Sequence, residues 1–273
     1  MQAVMAREDR IVLLSGERLR PNCPTLLLLH GATDDPSEML TIAGQWAESK
    51  NVFLYSYNYH EPVEKLASDL LREMMKLRST TEALTGSGSA GGNFTVIAYS
   101  YAAIVFRKSV LLAPDKALFS SVSLIQLVPT AGGSRRARTL WNPVLAFLVS
   151  MASMPSTAQN PYGTIARELW DENGTRLFDA AISPNRVHTL LVEADSNSLA
   201  HVRNKEVRER YQNGIGSNVV VIPKRFGVTH SNFPNHPVAL DYLRQTIEST
   251  ASGHLNQAVS RADGLGGNDG RLN

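Results

Sequence analysis

Apolar positions along this chain follow two patterns that alternate. One is the short unbroken apolar run, expected of a strand buried on both faces, and the other is recurrence every three or four residues, expected of one helix face. Strands are predicted at 11–14, 26–29, 51–59, 94–97, 121–129, 188–193 and 218–223. Helical spacing fills 36–49 through Met39, Leu40, Ile42, Ala43 and Trp46, and resumes after Pro62 through Val63, Leu66, Leu70, Met74 and Leu77. A further helix runs through Ala103, Val105, Val110, Leu111 and Ala113 until Pro114 stops it, a charged helical segment covers 202–211, and a closing helix follows His236-Pro237.

Strands and helices taken in turn predict an α/β chain with a mostly parallel sheet and right-handed crossovers. The run 11–14, ended by Ser15-Gly16, reads as an edge strand. The rhythm changes between 133 and 186, where helical patterns occur without a convincing strand over a length too great for a plain connection. That stretch is expected to be a helical cap. Its stripe of Leu140, Trp141, Val144, Leu145, Phe147 and Leu148 suits either core packing or contact with a hydrophobic ligand. The Gly/Ser-rich stretch 85–92 reads as a loop, because it precedes a strand and lacks the Lys-Ser/Thr ending of a phosphate cradle. From Ala251 to Asn273 the composition predicts a disordered tail, leaving 1–250 as one domain.

Composition adds exclusions. With 273 residues, 43% hydrophobic and 19% charged, the chain is long and apolar enough to bury a large core. A net charge of +2 with basic residues scattered, apart from Arg135, Arg136 and Arg138, gives no support for nucleic-acid binding. The single Cys23 cannot form an intramolecular disulfide. Charges at Arg7, Glu8, Asp9 and Arg10 occupy the place of a signal-peptide core, and no apolar run approaches the ~20 residues of a membrane span, so a cytoplasmic protein without an integral membrane segment is expected.

Candidate chemistry centres on Ser100. Thr95, Val96 and Ile97 lead as a strand into Ala98-Tyr99-Ser100-Tyr101-Ala102, and a helix follows. Strand, tight turn and helix together present a serine hydroxyl away from the sheet. This stretch resembles the nucleophile elbow of the α/β-hydrolase superfamily, with alanine at 98 and 102 where the superfamily has Gly-x-Ser-x-Gly. Alanine adds one methyl group at each point where strand and helix crowd together. The resemblance spans about 26–247 and implies an α/β-hydrolase fold with helices on both faces of the sheet. It also implies an order of nucleophile, acid and base that Ser100, Asp195 and His230 reproduce, each just beyond an expected strand, with Glu193 as the alternative acid. His30-Gly31 resembles the turn that opens the oxyanion loop, which implies backbone N–H donors at Ala32 and Tyr101.

A serine hydroxyl is a poor nucleophile until a base takes its proton and a carboxylate orients that base. The expected function is therefore a serine esterase or lipase-like hydrolase acting on a small hydrophobic ester. The same constellation serves a thioesterase or an acyltransferase, and the two elbow alanines keep open a binding protein that retains the fold without turnover. No cofactor is expected, since metal-ligand spacings and a dinucleotide glycine motif are both missing from the sequence.

Overall fold

The computed structural model describes residues 10–16, 19–20, 23–31, 36–58, 61–85, 94–129, 182, 184–193 and 218–252. Most of the expected cap at 133–186, the segment 202–211, Ala32, Asp195 and the chain beyond 252 lie outside the described residues.

Seven strands form one sheet: β1 (Arg10–Leu13), β2 (Thr25–Leu29), β3 (Asn51–Ser56), β4 (Phe94–Tyr99), β5 (Val122–Leu127), β6 (Val187–Val192) and β7 (Asn218–Ile222). Their order is β1-β3-β2-β4-β5-β6-β7. Among the described strands only β1 runs antiparallel, pairing Ile11 with Tyr55 and Leu13 with Phe53 at the sheet edge. Every other pair is parallel, as the continuous apolar runs predict. β3 and β5 end two or more residues before the expected strands do. β3 stops at Ser56 because the Tyr57 N–H turns from the ladder to His30 Nε2 at 3.3 Å, and β5 stops before Val128, whose φ of 43° is left-handed.

Four longer helices cover the two faces: α1 (Met39–Trp46), α2 (Val63–Thr85), α3 (Ala102–Leu112) and α4 (Pro237–Ser252). On one face Leu27, Leu29, Phe53, Val96 and Leu124 pack with Leu66, Leu70 and Met74 of α2 and Val105 and Phe106 of α3. On the other, Leu26, Leu28, Val52, Ile97, Ile125 and Leu190 pack with Met39 and Ile42 of α1 and Ala239, Leu243 and Ile247 of α4. The four leucines of β2 are fully buried, each contributing roughly 2 kcal/mol through area removed from water. Just past the end of α1 the Arg20 guanidinium donates to the Ala47 carbonyl at 2.8 Å and also to those of Glu48 and Lys50, gathering the carbonyls of the turn that leads from the helix into β3. α4 continues through Ser252, so Ala251 and Ser252 belong to a helix rather than to the expected tail.

The strand order fixes where a site can form. From β2 the chain steps outward to β3, then returns across β2 to β4, so the crossovers leave in opposite directions on either side of the β2–β4 boundary. Open α/β sheets form a crevice at the carboxyl ends of strands flanking such a reversal. Here those ends carry His30-Gly31 after β2 and Ser100 after β4.

Candidate active site

Ser100 follows the last residue of β4 and stands two residues before α3. Its φ is 54°, left-handed for a residue with a Cβ, a conformation that costs roughly 1–3 kcal/mol and persists only when the surroundings impose it. Backbone bonds impose it here. The Ser100 N–H donates to the Leu127 carbonyl at 2.9 Å, carrying the β4–β5 ladder one residue into the turn, and the Ser100 carbonyl accepts from the Ala103 N–H at 3.2 Å, starting the helix. Ala98 and Ala102 are both 0% exposed and belong to the same packed cluster, so the turn closes with alanine on each side.

The expected base reaches this serine. His230 Nε2 lies 2.8 Å from Ser100 Oγ, across 130 residues of chain. A short loop after β7 carries His230. Lys224–Phe226 forms one 3-10 turn, Gly227 reverses the chain at φ 69°, and Phe233–Asn235 forms a second turn before α4. Between the turns Thr229 and Asn232 bracket His230 reciprocally. The Thr229 N–H donates to Asn232 Oδ1 at 2.7 Å, the Asn232 N–H donates to Thr229 Oγ1 at 3.3 Å, and Asn232 Nδ2 donates to the Gly227 carbonyl at 3.1 Å. Phe233, fully buried against the α1/α4 face, anchors the far side. The Tyr99 ring stacks on the His230 imidazole with centroids 5.2 Å apart and planes inclined by 29°, and its hydroxyl donates to the His230 carbonyl.

His30 is 1% exposed and has both ring nitrogens occupied. Its Nδ1–H donates to the Gly31 carbonyl at 2.8 Å, Nε2 accepts from the Tyr57 N–H, and the Tyr57 hydroxyl donates to the His30 carbonyl at 2.5 Å. The two rings stack at 4.2 Å. This histidine shapes the turn after β2 through fixed hydrogen bonds. Tyr101, the other residue expected to present an N–H to an oxyanion, immediately precedes α3, where the positive end of the helix dipole favours negative charge, and its carbonyl accepts from Ile104 at 2.9 Å. Ala32 lies outside the described residues.

Of the two expected acids, Asp195 is also outside them, whereas Glu193 is exposed at the end of β6. Glu193 continues the β6–β7 ladder through its N–H to Ile222 at 2.9 Å, and its Oε2 accepts from the Lys224 N–H at 2.7 Å. Its carboxylate thus caps the turn at Lys224–Phe226 and braces the start of the His230 loop. Among the described residues no group of three or more His, Cys, Asp or Glu side chains is placed to hold a metal ion, and no helix is long and apolar enough to cross a membrane.

Sequence reasoning reached Ser100 and His230 and missed Tyr99, Tyr57, Thr229 and Asn232. Thr229 and Asn232 carry a local signal, a short polar pair three residues apart around a histidine after a glycine turn. Tyr99 and Tyr57 carry none, because a tyrosine in or beside a strand reads as core.

No protein-family model matches the sequence, and no curated protein matches it. Solved structures do match. A carboxylesterase structure from the thaumarchaeon Nitrososphaera gargenis superimposes with a TM-score of 0.58 at 12% identity, covering 91% of this chain and 98% of that one. A lipase of Bacillus licheniformis in its mature form gives 0.57 at 12% identity over 87% of this chain and 97% of that one. A bromoperoxidase of Bacillus anthracis gives 0.52 at 12% identity over 84% and 93%. The seven-stranded sheet, its helices on both faces and these likenesses together show that the chain has the α/β-hydrolase fold.

Proposed function

We propose that the protein is a serine hydrolase that cleaves a carboxylic ester of a hydrophobic acyl or alcohol group. The observation that carries this reading is the 2.8 Å approach of His230 Nε2 to the hydroxyl of a serine held at φ 54° at the carboxyl end of β4. In the proposed reaction Ser100 Oγ attacks the ester carbonyl carbon while His230 Nε2 takes the hydroxyl proton. The tetrahedral intermediate collapses as the carbon–oxygen bond to the alcohol breaks and His230 returns the proton to the departing oxygen. Water then attacks the acyl-enzyme with the same base, releasing the acid and restoring Ser100.

Asp195 is the acid assigned to orient His230, a role its place beyond β6 supports and for which the engagement of Glu193 with Lys224 leaves Glu193 the weaker claimant. The N–H groups of Ala32 and Tyr101 are assigned to the oxyanion, each donor worth about 3 kcal/mol of transition-state stabilisation. The cap at 133–186 is assigned to cover the ester's hydrophobic group. The likeness to carboxylesterase and lipase structures supports the same reading, while the likeness to a bromoperoxidase shows why the fold does not decide the chemistry.

The test is covalent labelling with a fluorophosphonate and hydrolysis of p-nitrophenyl esters of graded acyl length. Wild type is expected to label and turn over, and Ser100→Ala to do neither while keeping the wild-type melting temperature. Equal labelling of both proteins would remove Ser100 from the chemistry.

A further inference from the structure

The contacts around Tyr99 close a ring between the serine and the histidine. Tyr99 is the residue before Ser100, so one peptide bond joins it to the proposed nucleophile. Its hydroxyl donates to the His230 carbonyl, its ring stacks on the His230 imidazole, and the imidazole Nε2 returns to Ser100 Oγ at 2.8 Å. The side chain is fully buried among Ile97, Leu127 and Val228, so it cannot swing away without vacating core volume. The bracket of Thr229 and Asn232 ties the loop to itself, and Phe233 ties it to the core on the α4 side. Tyr99 ties it to the strand that carries the serine.

We propose that Tyr99 is a positioning residue that locks the His230 backbone and ring to the end of β4, so that proposed base and nucleophile move as one unit. The proposal rests on the serine hydrolase reading for its catalytic consequence, and on geometry alone for the anchoring itself. Two consequences separate it from a packing role. Replacing the hydroxyl by hydrogen keeps the ring, its stacking and its volume, so the fold should lose only the one hydrogen bond. The proton transfer between Ser100 and His230 should not be, since it depends on a separation held within a few tenths of an ångström.

The experiment compares wild type with Tyr99→Phe, with Ser100→Ala as the control for the chemistry. In Tyr99→Phe, kcat for p-nitrophenyl butyrate should fall about tenfold, the loss expected for one neutral hydrogen bond, with KM within about twofold. The melting temperature should fall by no more than a few degrees, the loss of one hydrogen bond, and fluorophosphonate should label Ser100 to full stoichiometry about tenfold more slowly. Amide hydrogen exchange in the segment 227–232 should accelerate by about tenfold as the loop loses its tie to β4. A wild-type kcat and labelling rate, or a loss carried by KM alone, would overturn the proposed role. If wild type neither labels nor hydrolyses ester, the hydrolase reading fails by itself. The exchange then decides the anchoring: faster exchange in Tyr99→Phe supports it and unchanged exchange overturns it.

Discussion

Ser100 and His230 meet from two parts of the chain that are held by different forces. The elbow between β4 and α3 is held by the β4–β5 ladder, by the first turn of a helix and by two fully buried alanines packed where strand meets helix. The loop after β7 is held, short of its buried anchor Phe233, by side-chain polar atoms: Asn232 to Thr229 and Gly227, Tyr99 to the His230 carbonyl, and Glu193 to Lys224. The elbow should therefore fail when atoms are added, and the loop when polar atoms are removed. The difference also fits the proposed roles. A strained turn needs a rigid setting to stay strained, whereas the proposed base needs only to be held at one distance from its partner.

The largest effect should come from overfilling the elbow. Ala102→Val adds two methyl groups at a fully buried position in the first turn of α3, where overpacking costs typically 1–3 kcal/mol. If the helix yields by about 1 Å, Ser100 is displaced from His230 and ester hydrolysis should fall about a hundredfold. Thermal denaturation should show a loss of about 2 kcal/mol, and Ala102→Gly should retain most of the activity because it removes volume. An Ala102→Val variant as active as wild type would mean that the elbow tolerates added atoms, and the contrast with the loop would collapse.

A second histidine sharpens the comparison by removing chemistry from it. His188, the second residue of β6, is 2% exposed, and burial pushes its pKa from 6.5 to about 4. Thr250 gives its hydroxyl proton to the Thr246 carbonyl at 2.7 Å and lies 3.2 Å from His188 Nε2, so that nitrogen carries the ring hydrogen of a neutral imidazole. Between pH 6.5 and 4 the unfolded chain binds a proton at this residue that the folded chain refuses, so stability falls as pH falls and the loss is complete below about pH 4. The loss amounts to about 3 kcal/mol. His188→Gln, which keeps a donor for Thr250, should flatten the acid side of a plot of unfolding free energy against pH while leaving ester hydrolysis at neutral pH unchanged. Acid sensitivity that survives His188→Gln would place its source elsewhere.

How much of this was legible beforehand follows the same division. The seven described strands were readable as short apolar runs, the central ones because strands buried on both faces must be apolar throughout, and Ser100 was readable because strand, turn and helix are contiguous in sequence. His230 was readable only by its place after the last strand. The contacts that hold it were not: Tyr99 and His230 are 131 positions apart and His30 and Tyr57 are 27 apart, and both pairs form only once the strands have taken their places in the sheet. His188 looked no different from any other histidine, since burial depends on the helix that later covers β6. The tail was expected from Ala251, but α4 runs to Ser252, an end that composition alone does not mark. Asp195, Ala32 and the cap at 133–186 stand as the sequence left them, outside the described residues.

The smallest effect tests the loop by subtraction. Asn232→Ala removes the acceptor for the Thr229 N–H and the donor to the Gly227 carbonyl, and it leaves no new volume in the core, because Asn232 is only half-buried. Its backbone N–H, which donates to Thr229 Oγ1, is retained, so the reciprocal bracket loses one arm and keeps the other. Water can reach the groups set free, so the stability cost should be about 1 kcal/mol, visible as a shift of a few degrees in melting temperature. Activity should fall severalfold, less than in Tyr99→Phe, because the tie from Tyr99 to the His230 carbonyl survives. The double variant decides whether the two restraints are independent. If the bracket and the Tyr99 tie act on the same loop motion, the combined loss of kcat should exceed the product of the single losses, since each restraint alone still limits the motion in part and removing both frees it. Losses that simply multiply would mean that Tyr99 and Asn232 hold separate parts of the segment, and the loop would then be two restraints in series rather than one clamp.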